Sequence, residues 1–287
     1  MTHTRGQASK SRTVQYRTPG HRAGPVTRLV SPGDLGEHLK PFVFLDLFEF
    51  TSSGGRGFVP HPHSGIATLT AFFEGRMTYG DTTGKSGTIT DESVEWMRAG
   101  SGVWHGGEAS PGRLARGFQL WVALPPELEL TPAESLYIEA DQIRHEGPAR
   151  VLLGHYRGAV SPIAAPTSMT YLHVKLADGE SWTYRPAPDH DIAWLATNAG
   201  QLEAGGAVLE RELAVFSDGA GDIEIAARGA SEFVIGSAAR HPYPLINGSY
   251  SVHTSAAALA EGERTIATLK RSPAFAALAA RRPHVQR

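Results

Sequence analysis

The sequence predicts an all-β protein built from two β-barrels, with a short helical segment at its C-terminal end. Three observations point to this fold class. Short segments that alternate apolar and polar residues recur along the 287 residues, which is the pattern of half-buried strands. The 32 glycines and 19 prolines separate these segments at the close spacing that sandwiches and barrels show. The strand pattern also occurs twice, before and after a more polar stretch at 127–150.

The predicted strands fall into two sets. The first set is 66–73, 76–79, 87–89, 94–97 and 116–124, and the second is 171–176, 181–184, 192–195, 212–216, 223–226 and 232–235. Pro125-Pro126 stops the last strand of the first set, because proline cannot donate to a sheet ladder. The segment 66–69 resembles 192–195, which indicates a weak internal repeat. Alanine, leucine and charged residues between Ser255 and Arg282 predict one or two short helices around Ser272-Pro273.

These patterns divide the chain into four predicted parts. They are a basic tail at 1–30, an N-terminal barrel at 31–135, a linker at 136–150 and a C-terminal barrel with a helical tail at 151–287. Six basic residues precede the first acidic one, Asp34: Arg5, Lys10, Arg12, Arg17, Arg22 and Arg28. We interpret the tail as a solvated flank of the barrel, with contact to an acidic partner as the alternative.

Composition excludes several classes of function. A net charge of −2 gives no overall electrostatic footprint for nucleic acid. The absence of cysteine excludes disulfides, thiolate nucleophiles and cysteine metal sites, which leaves histidine and carboxylate as metal ligands. No Gly-x-Ser-x-Gly elbow or Gly-x-Gly-x-x-Gly fingerprint occurs. No apolar run approaches the roughly 18 residues of a membrane span and the polar N-terminus lacks a signal-peptide core, so we expect a cytoplasmic protein without membrane contact.

Two histidine segments carry the main functional signal. His61 and His63 are two residues apart, so on a strand both side chains leave the same face. His105 follows about forty residues later, and antiparallel strands in between would bring it back to that pair. Three converging imidazoles bind a metal ion. The sequence therefore predicts a metal site of His61, His63 and His105 in the N-terminal barrel, and a metal-free C-terminal barrel.

The residues around these histidines resemble the pirin family. The resemblance rests on His61-Pro62-His63-Ser64-Gly65, on Gly84-Lys85-Ser86-Gly87, on the stretch from Glu95 to His105, and on the strand from Phe118 to Pro125. It implies a bicupin of the cupin superfamily, with two cupin-type barrels and one metal ion, usually iron, in the N-terminal barrel. It also implies one of two roles, because some pirins have quercetin 2,3-dioxygenase activity and others regulate through protein contacts.

The chain departs from the family pattern at the fourth ligand. Pirins carry a glutamate two residues after the third histidine, and Gly107 stands at that position here. Glu108 follows one residue late, and a one-residue slip turns a strand side chain to the opposite face. A β-bulge at Gly106-Gly107 would restore the facing. We therefore predict Glu108 as fourth ligand and catalytic base, with water or substrate beside three histidines as the alternative.

The leading functional hypothesis is a metal-dependent dioxygenase that acts on a flavonol-like or other enolisable aromatic substrate. Nitrogen and oxygen ligands accept Fe, Mn, Ni, Cu or Zn, and the resemblance favours Fe. The alternative is a non-enzymatic regulatory module, whose metal shapes a surface for a protein partner. A metal-storing remnant without chemistry of its own is the third option.

Overall fold

A computed structural model describes residues 11–52, 58–219 and 221–280. The strands are β1 Val14–Thr18, β2 His21–Ala23, β3 Val26–Val30, β4 Phe42–Thr51, β5 Phe58–His63, β6 Ile66–Glu74, β7 Met77–Asp81, β8 Ser86–Ile89, β9 Val94–Arg98, β10 Val103–Ala109, β11 Leu114–Ala123, β12 Glu134–Ile138, β13 His145–Glu146, β14 Ala149–Tyr156, β15 Ala159–Val160, β16 Met169–Leu176, β17 Ser181–Tyr184, β18 Ile192–Ala204, β19 Ala207–Leu209, β20 Leu213–Phe216, β21 Ile223–Ala238, β22 Ile246–Asn247 and β23 Val252–His253. The helices are α1 Leu35–Leu39, α2 Ala256–Leu269 and α3 Pro273–Ala279, with a 3-10 turn at Ala140–Gln142. The prediction of an all-β protein with short C-terminal helices is confirmed.

The chain divides into two compact units. The first unit comprises Gly20–Ile143, Pro162–Pro166 and the segment from His241 onward. The second unit comprises the segment up to Pro19, Arg144–Ser161 and Thr167–Arg240. Each unit closes around its own apolar core, as expected for a chain of this length.

The first unit is a sandwich of two antiparallel sheets. The large sheet has the strand order β12-β9-β6-β11-β4-β3-β2, and the small sheet has the order β5-β10-β7-β8. Phe48 and Phe72 of the large sheet pack in one cluster with Met77, Ile89 and Ala109 of the small sheet. This packing follows from strand alternation, which sends every second side chain to the space between the sheets.

The second unit is built on one ten-stranded sheet. Its main path runs β1-β20-β18-β21-β16-β14-β13, with β15, β17 and β19 attached at its sides. β18 and β21 are long, and a bulge at residues 197–201 of β18 interrupts their pairing. The core cluster of this unit includes the buried side chains of Leu172, Leu195 and Phe233.

The N-terminal segment differs from the predicted tail. Residues 1–10, which include Arg5 and Lys10, lie outside the described part of the chain. From Val14 onward the segment forms strands, because β1 pairs with β20 and β3 pairs with β4. The basic side chains contact groups of the same chain: Arg12 donates to the carbonyl oxygens of His190 and Asp191, and Arg28 forms an ion pair with Asp46. The described residues of the predicted tail are therefore mostly strands, although basic residues such as Arg17 and Arg22 are exposed to solvent.

Two further boundaries differ from prediction. The expected linker at 136–150 contains most of β12, the 3-10 turn, β13 and the start of β14. The helical segment groups with the first unit and not with the C-terminal barrel. The reason is a set of contacts to β10, where Trp104 donates through Nε1 to the carbonyl of Ile266 at 3.0 Å and packs edge-on against Phe275. In the described residues, every helix is too short or too polar to cross a bilayer.

Candidate metal centre

Two neighbouring strands of the small sheet bring the predicted histidines together. β5 pairs antiparallel with β10, and in this register His61 lies opposite His105 while His63 lies opposite Val103. His61 and His63 alternate with Pro62 along β5, so both imidazoles leave the same face. This is the convergence that the sequence predicted for residues 61, 63 and 105.

The three imidazoles form a tight cluster. The Nε2 atoms of His61 and His105 lie 3.0 Å apart. The ring centroid of His63 lies 5.0 Å from that of His61 and 5.1 Å from that of His105. One ring nitrogen from each residue lies within 4.8 Å of the other two.

The outer nitrogens of His61 and His63 are held by backbone carbonyls. Nδ1 of His61 lies 2.9 Å from the carbonyl oxygen of Val59, and Nδ1 of His63 lies 3.0 Å from that of Tyr250. A carbonyl can only accept, so both Nδ1 atoms donate and both Nε2 atoms keep a free lone pair. Burial, with a smaller effect of His105, lowers the pKa of His61 to about 4. Burial and the two neighbouring imidazoles also lower the pKa of His63 well below its usual range.

These features fit a metal ion. The Nε2 atom of His63 is buried and has no hydrogen-bond partner, which costs free energy unless another group satisfies it. His61 and His63 are neutral at pH 7 by the direction of their pKa shifts, and neutral imidazole is the form that binds metals. Metal–nitrogen distances of about 2.1 Å place ligand nitrogens about 3.0–3.4 Å apart, and the His61–His105 pair is already at 3.0 Å.

The structure does not bring Glu108 to this cluster. Along β7 the register of β10 is regular from His105 to Ala109, so Glu108 lies on the face opposite His105. The register shift beside Gly107 occurs in the pairing of β10 with β5. His105 pairs with His61 and Gly107 pairs with Phe58, so β5 has one residue more than β10 between these two pairs, and the extra residue lies in β5. The expected bulge in β10 is therefore absent from this pairing. In the described part of the chain, no carboxylate joins the three ring nitrogens.

A carboxylate approaches from the large sheet instead. Glu95 of β9 is buried, and its Oε1 atom lies 3.8 Å from Nδ1 of His105. Thr70 of β6, its cross-strand partner, donates to Oε2 of Glu95 at 3.1 Å. On the next strands, Gln119 pairs with Thr70 and Asp46 pairs with Gln119. Glu95, Thr70, Gln119 and Asp46 thus form a polar row across the large sheet. Sequence analysis missed Glu95 as a site residue, because strand alternation with the apolar Val94 and Trp96 assigns an acidic side chain to the solvent face.

The polar row forms one wall of a pocket. The pocket has a volume of about 520 Å³, which includes its open mouth. Its lining combines His61 and His105 with polar groups and apolar side chains; among them are Asp46, Thr70, Glu95, Gln119, Phe48, Phe58, Met77 and Tyr79. This mixture of apolar side chains with a few polar groups beside the histidines is typical of a site for a small organic ligand.

A second network of buried hydrogen bonds lies next to His63 in the chain and involves Ser64, His253 and Glu129. Ser64 Oγ lies 2.9 Å from Nε2 of His253, and Nδ1 of His253 lies 2.9 Å from Oε2 of Glu129. The same carboxylate accepts from the backbone and the hydroxyl of Thr254. The order serine, histidine, acid is that of a hydrolase triad, but all three side chains are buried. Helix α2 also closes over them, since a Cβ at Gly262 would lie 2.5 Å from Ser64 Oγ, so the network is structural.

Comparison with known proteins gives the family. The Pirin family model matches residues 25–122. A pirin-like protein of Caulobacter vibrioides is 34% identical over 209 residues, which are 67% of this chain and 68% of that protein. Several other curated relatives, bacterial and plant pirin-like proteins among them, are matched over 42–62% of their own length.

Solved structures agree with the fold. A crystal structure of quercetin 2,3-dioxygenase from Acinetobacter baumannii superposes with a TM-score of 0.81 at 26% identity, covering 89% of this chain and 96% of that one. The nickel(II) complex of the pirin YhhW from Escherichia coli has a TM-score of 0.62 at 17% identity, over 80% and 98% of the two chains. The two cupin barrels expected from the sequence are thus confirmed. From its histidine cluster, its fold and its relatives, this chain belongs to the pirin family.

Proposed function

We propose that this protein is a metal-dependent dioxygenase of the quercetin 2,3-dioxygenase type, with His61, His63 and His105 as the ligands of one divalent ion. The observation that carries the proposal is the convergence of three imidazoles, of which His61 and His105 line the pocket, while His61 and His63 are neutral by the direction of their pKa shifts. Its likeness to the quercetin 2,3-dioxygenase of Acinetobacter baumannii supports this choice of reaction.

The pocket supports a flat aromatic substrate. Phe48, Phe58 and Met77 give it an apolar surface, and Tyr79 adds an aromatic ring with a hydroxyl. Aromatic side chains favour stacked or edge-on contacts with another ring. Asp46 and Gln119, which also line the pocket, can accept hydrogen bonds from phenolic hydroxyls. A flavonol, which has both flat rings and several hydroxyls, meets these two requirements.

In this proposal, the ion and the protein side chains would have different roles in the reaction. A divalent ion supplies Lewis acidity that favours the ionised form of an enolisable hydroxyl, together with redox chemistry if the ion is iron. The three histidines hold the ion without neutralising it, which favours an anionic ligand. The apolar wall orients the rings and excludes water from them. An all-nitrogen ligand set accepts Fe, Mn, Ni, Cu and Zn, and we propose Fe as the working ion.

Oxygen consumption with quercetin tests this function. The protein is stripped with chelator, loaded separately with Fe, Mn, Ni, Cu and Zn, and incubated with quercetin in air-saturated buffer. We expect at least one loaded form to consume oxygen and quercetin in equal amounts. The control is His105→Ala protein carried through the same loading, because free metal ions oxidise flavonols slowly on their own. Equal rates for wild type and His105→Ala with every metal would remove the proposal.

A protein-binding role is favoured by one observation. Phe58, Val59 and Tyr250 are exposed at 39%, 77% and 46%, and the carbonyls of Val59 and Tyr250 hold the outer nitrogens of His61 and His63. A bound ion would therefore order these exposed apolar side chains beside the histidines, and contiguous exposed apolar surface marks interaction sites. Metal-dependent capture of a partner that Val59→Asp abolishes, in protein without oxygen uptake, would favour this role over catalysis.

A further inference from the structure

The three histidines differ in the group that faces the outer ring nitrogen, Nδ1. The outer nitrogens of His61 and His63 face backbone carbonyls at 2.9 and 3.0 Å. The outer nitrogen of His105 faces a side chain, since its Nδ1 atom lies 3.8 Å from Oε1 of Glu95. Metal-bound histidines almost always donate their second N–H to a carbonyl, a carboxylate or water. Glu95 offers an acceptor on that side of His105, and a movement of about 1 Å would bring the two atoms from 3.8 Å to hydrogen-bond distance.

The position of Glu95 is fixed on both sides. The hydroxyl of Thr70 donates to Oε2, which leaves Oε1 directed at His105. Cross-strand pairing places Thr70 on one side of Glu95 and Tyr137 on the other. Glu95 is only 3% exposed. A buried carboxylate is costly unless hydrogen-bond donors or cations surround it, so this one has few other orientations.

The arrangement has a consequence for the proton on His105. Because His61 donates through Nδ1, its Nε2 atom is bare. The Nε2 of His105 lies 3.0 Å from that bare nitrogen, so without a cation His105 must place its own proton between the two. A metal ion at the cluster needs both Nε2 atoms free. The proton of His105 then has to sit on Nδ1, the nitrogen that faces Glu95.

We propose that Glu95 is a positioning residue that holds His105 in its metal-binding tautomer and brings one negative charge beside the ion. This inference rests on the proposed metal site of the preceding section. It also accounts for Gly107, where a Cβ would lie 2.6 Å from the carbonyl oxygen of Thr78 and 3.2 Å from the sulfur of Met77. Strand β10 has little room for a carboxylate at that position, and the carboxylate comes from β9 instead.

Metal affinity tests the proposal without reference to catalysis. Zn²⁺ and Co²⁺ serve as probes, and their Kd values are measured by chelator competition at pH 7.5 for wild type, Glu95→Gln, Glu95→Asp and His105→Ala. We expect Glu95→Gln to weaken binding by roughly 10- to 100-fold, the usual effect of losing such a partner. Glu95→Asp keeps the charge and should recover part of that loss. Glu108→Gln, the same substitution on the opposite face of β10, is the matched control and should stay within about 3-fold.

A second measurement reads the tautomer directly. Long-range ¹H–¹⁵N spectra of Zn²⁺-loaded protein with labelled histidine distinguish a protonated Nδ1 from a bare Nε2. We expect the Nδ1 resonance of His105 to shift in Glu95→Gln while those of His61 and His63 stay in place. A purely structural role for Glu95 would lower thermal stability and move all three together. Melting curves of the metal-free variants identify a variant that has not folded, and Thr70→Val then replaces it as a milder change to the same contact.

The outcomes separate this inference from the proposed function. Wild-type affinity in Glu95→Gln, beside loss of binding in His105→Ala, overturns the role of Glu95 and leaves the metal site intact. Absence of Zn²⁺ and Co²⁺ binding by wild type overturns both. Loss of affinity in Glu95→Gln together with no oxygen uptake under any metal supports Glu95 and removes the dioxygenase.

Discussion

The Nδ1 atom of His63 donates a 3.0 Å hydrogen bond to the backbone carbonyl of Tyr250, 187 residues later in the chain. Next to it, Ser64 forms a bridge with Ser251 and contacts His253. The segment 250–254 is therefore a support for the predicted metal ligands, and Glu129 fixes that support through His253 and Thr254.

Removal of one imidazole should abolish metal binding. His105→Ala leaves two ligands on β5, and we expect purified protein to retain less than a tenth of the wild-type metal content by elemental analysis. His145 is exposed and lies in the second unit, so His145→Ala is the control and should retain the wild-type amount. Equal metal content in the two variants would show that the ion binds elsewhere.

Loss of the Glu129 carboxylate should destabilise the first unit. Glu129→Ala leaves His253 and Thr254 without their acceptor in a buried position, and buried donors left without a partner cost about 1–3 kcal/mol of the free energy of unfolding. Urea unfolding measures the loss. Glu127→Ala, in the same loop and exposed, should change stability by less than about 0.5 kcal/mol. A change as small in Glu129→Ala would mean that the network does not support the segment 250–254.

Gly65 should not tolerate a side chain. Its φ is +72°, and a Cβ there would lie 2.1 Å from the carbonyl oxygen of Val252. Gly112 has the same φ of +72° with open space around it, so it isolates the backbone cost, about 1–2 kcal/mol for alanine. Gly65→Ala should lose about 1–3 kcal/mol more than Gly112→Ala, because overpacking adds to that cost. Thermal melts of the two variants side by side check this, and similar melting temperatures would contradict it.

Buried histidines should make the protein sensitive to mild acid. Burial lowers the pKa of His241 to about 4, with Lys40 acting in the same direction. The unfolded chain, with a histidine pKa of about 6.5, then binds the proton first, so the stabilising contribution is present above pH 6.5 and is lost as the pH falls towards 4. Between pH 7 and pH 5, wild type should lose about 1–2 kcal/mol more than His241→Phe.

Urea unfolding at the two pH values, with chelator present, measures this difference. Chelator keeps metal release out of the comparison. His173, His190 and His253, whose pKa values are also lowered by burial, act in both proteins and cancel. Parallel losses in wild type and His241→Phe would contradict the prediction.

Most of the fold could be predicted from the sequence, because the alternation of apolar and polar residues indicates where the strands lie. The predicted strand 66–73 is β6, and 94–97 lies within β9. What alternation does not encode is which sheet a segment joins. The segments at 14–30 and 256–279 are strands and helices whose partners, such as β20 and Trp104, are distant in sequence, so the domain boundaries could not be read from composition.

Part of the candidate site could also be predicted from strand alternation. The His61–His63 spacing fixes a shared face, and the meeting with His105 needed only antiparallel pairing. The carboxylate was misplaced because a bulge was assigned to β10, whereas the irregular residue lies in β5. Glu95 approaches from the other sheet of the sandwich, and a contact between sheets leaves no spacing signal in the sequence.

The first unit is discontinuous, since Ser64 meets His253 only after the strands of the second unit from β13 to β21 have been made. On the ribosome, the nascent chain thus carries all three imidazoles long before the carbonyl that orients His63 has been synthesised. The histidine cluster can therefore reach its final geometry only after Tyr250 has been synthesised, and a polypeptide ending before Tyr250 would carry all three histidines with His63 lacking its carbonyl partner.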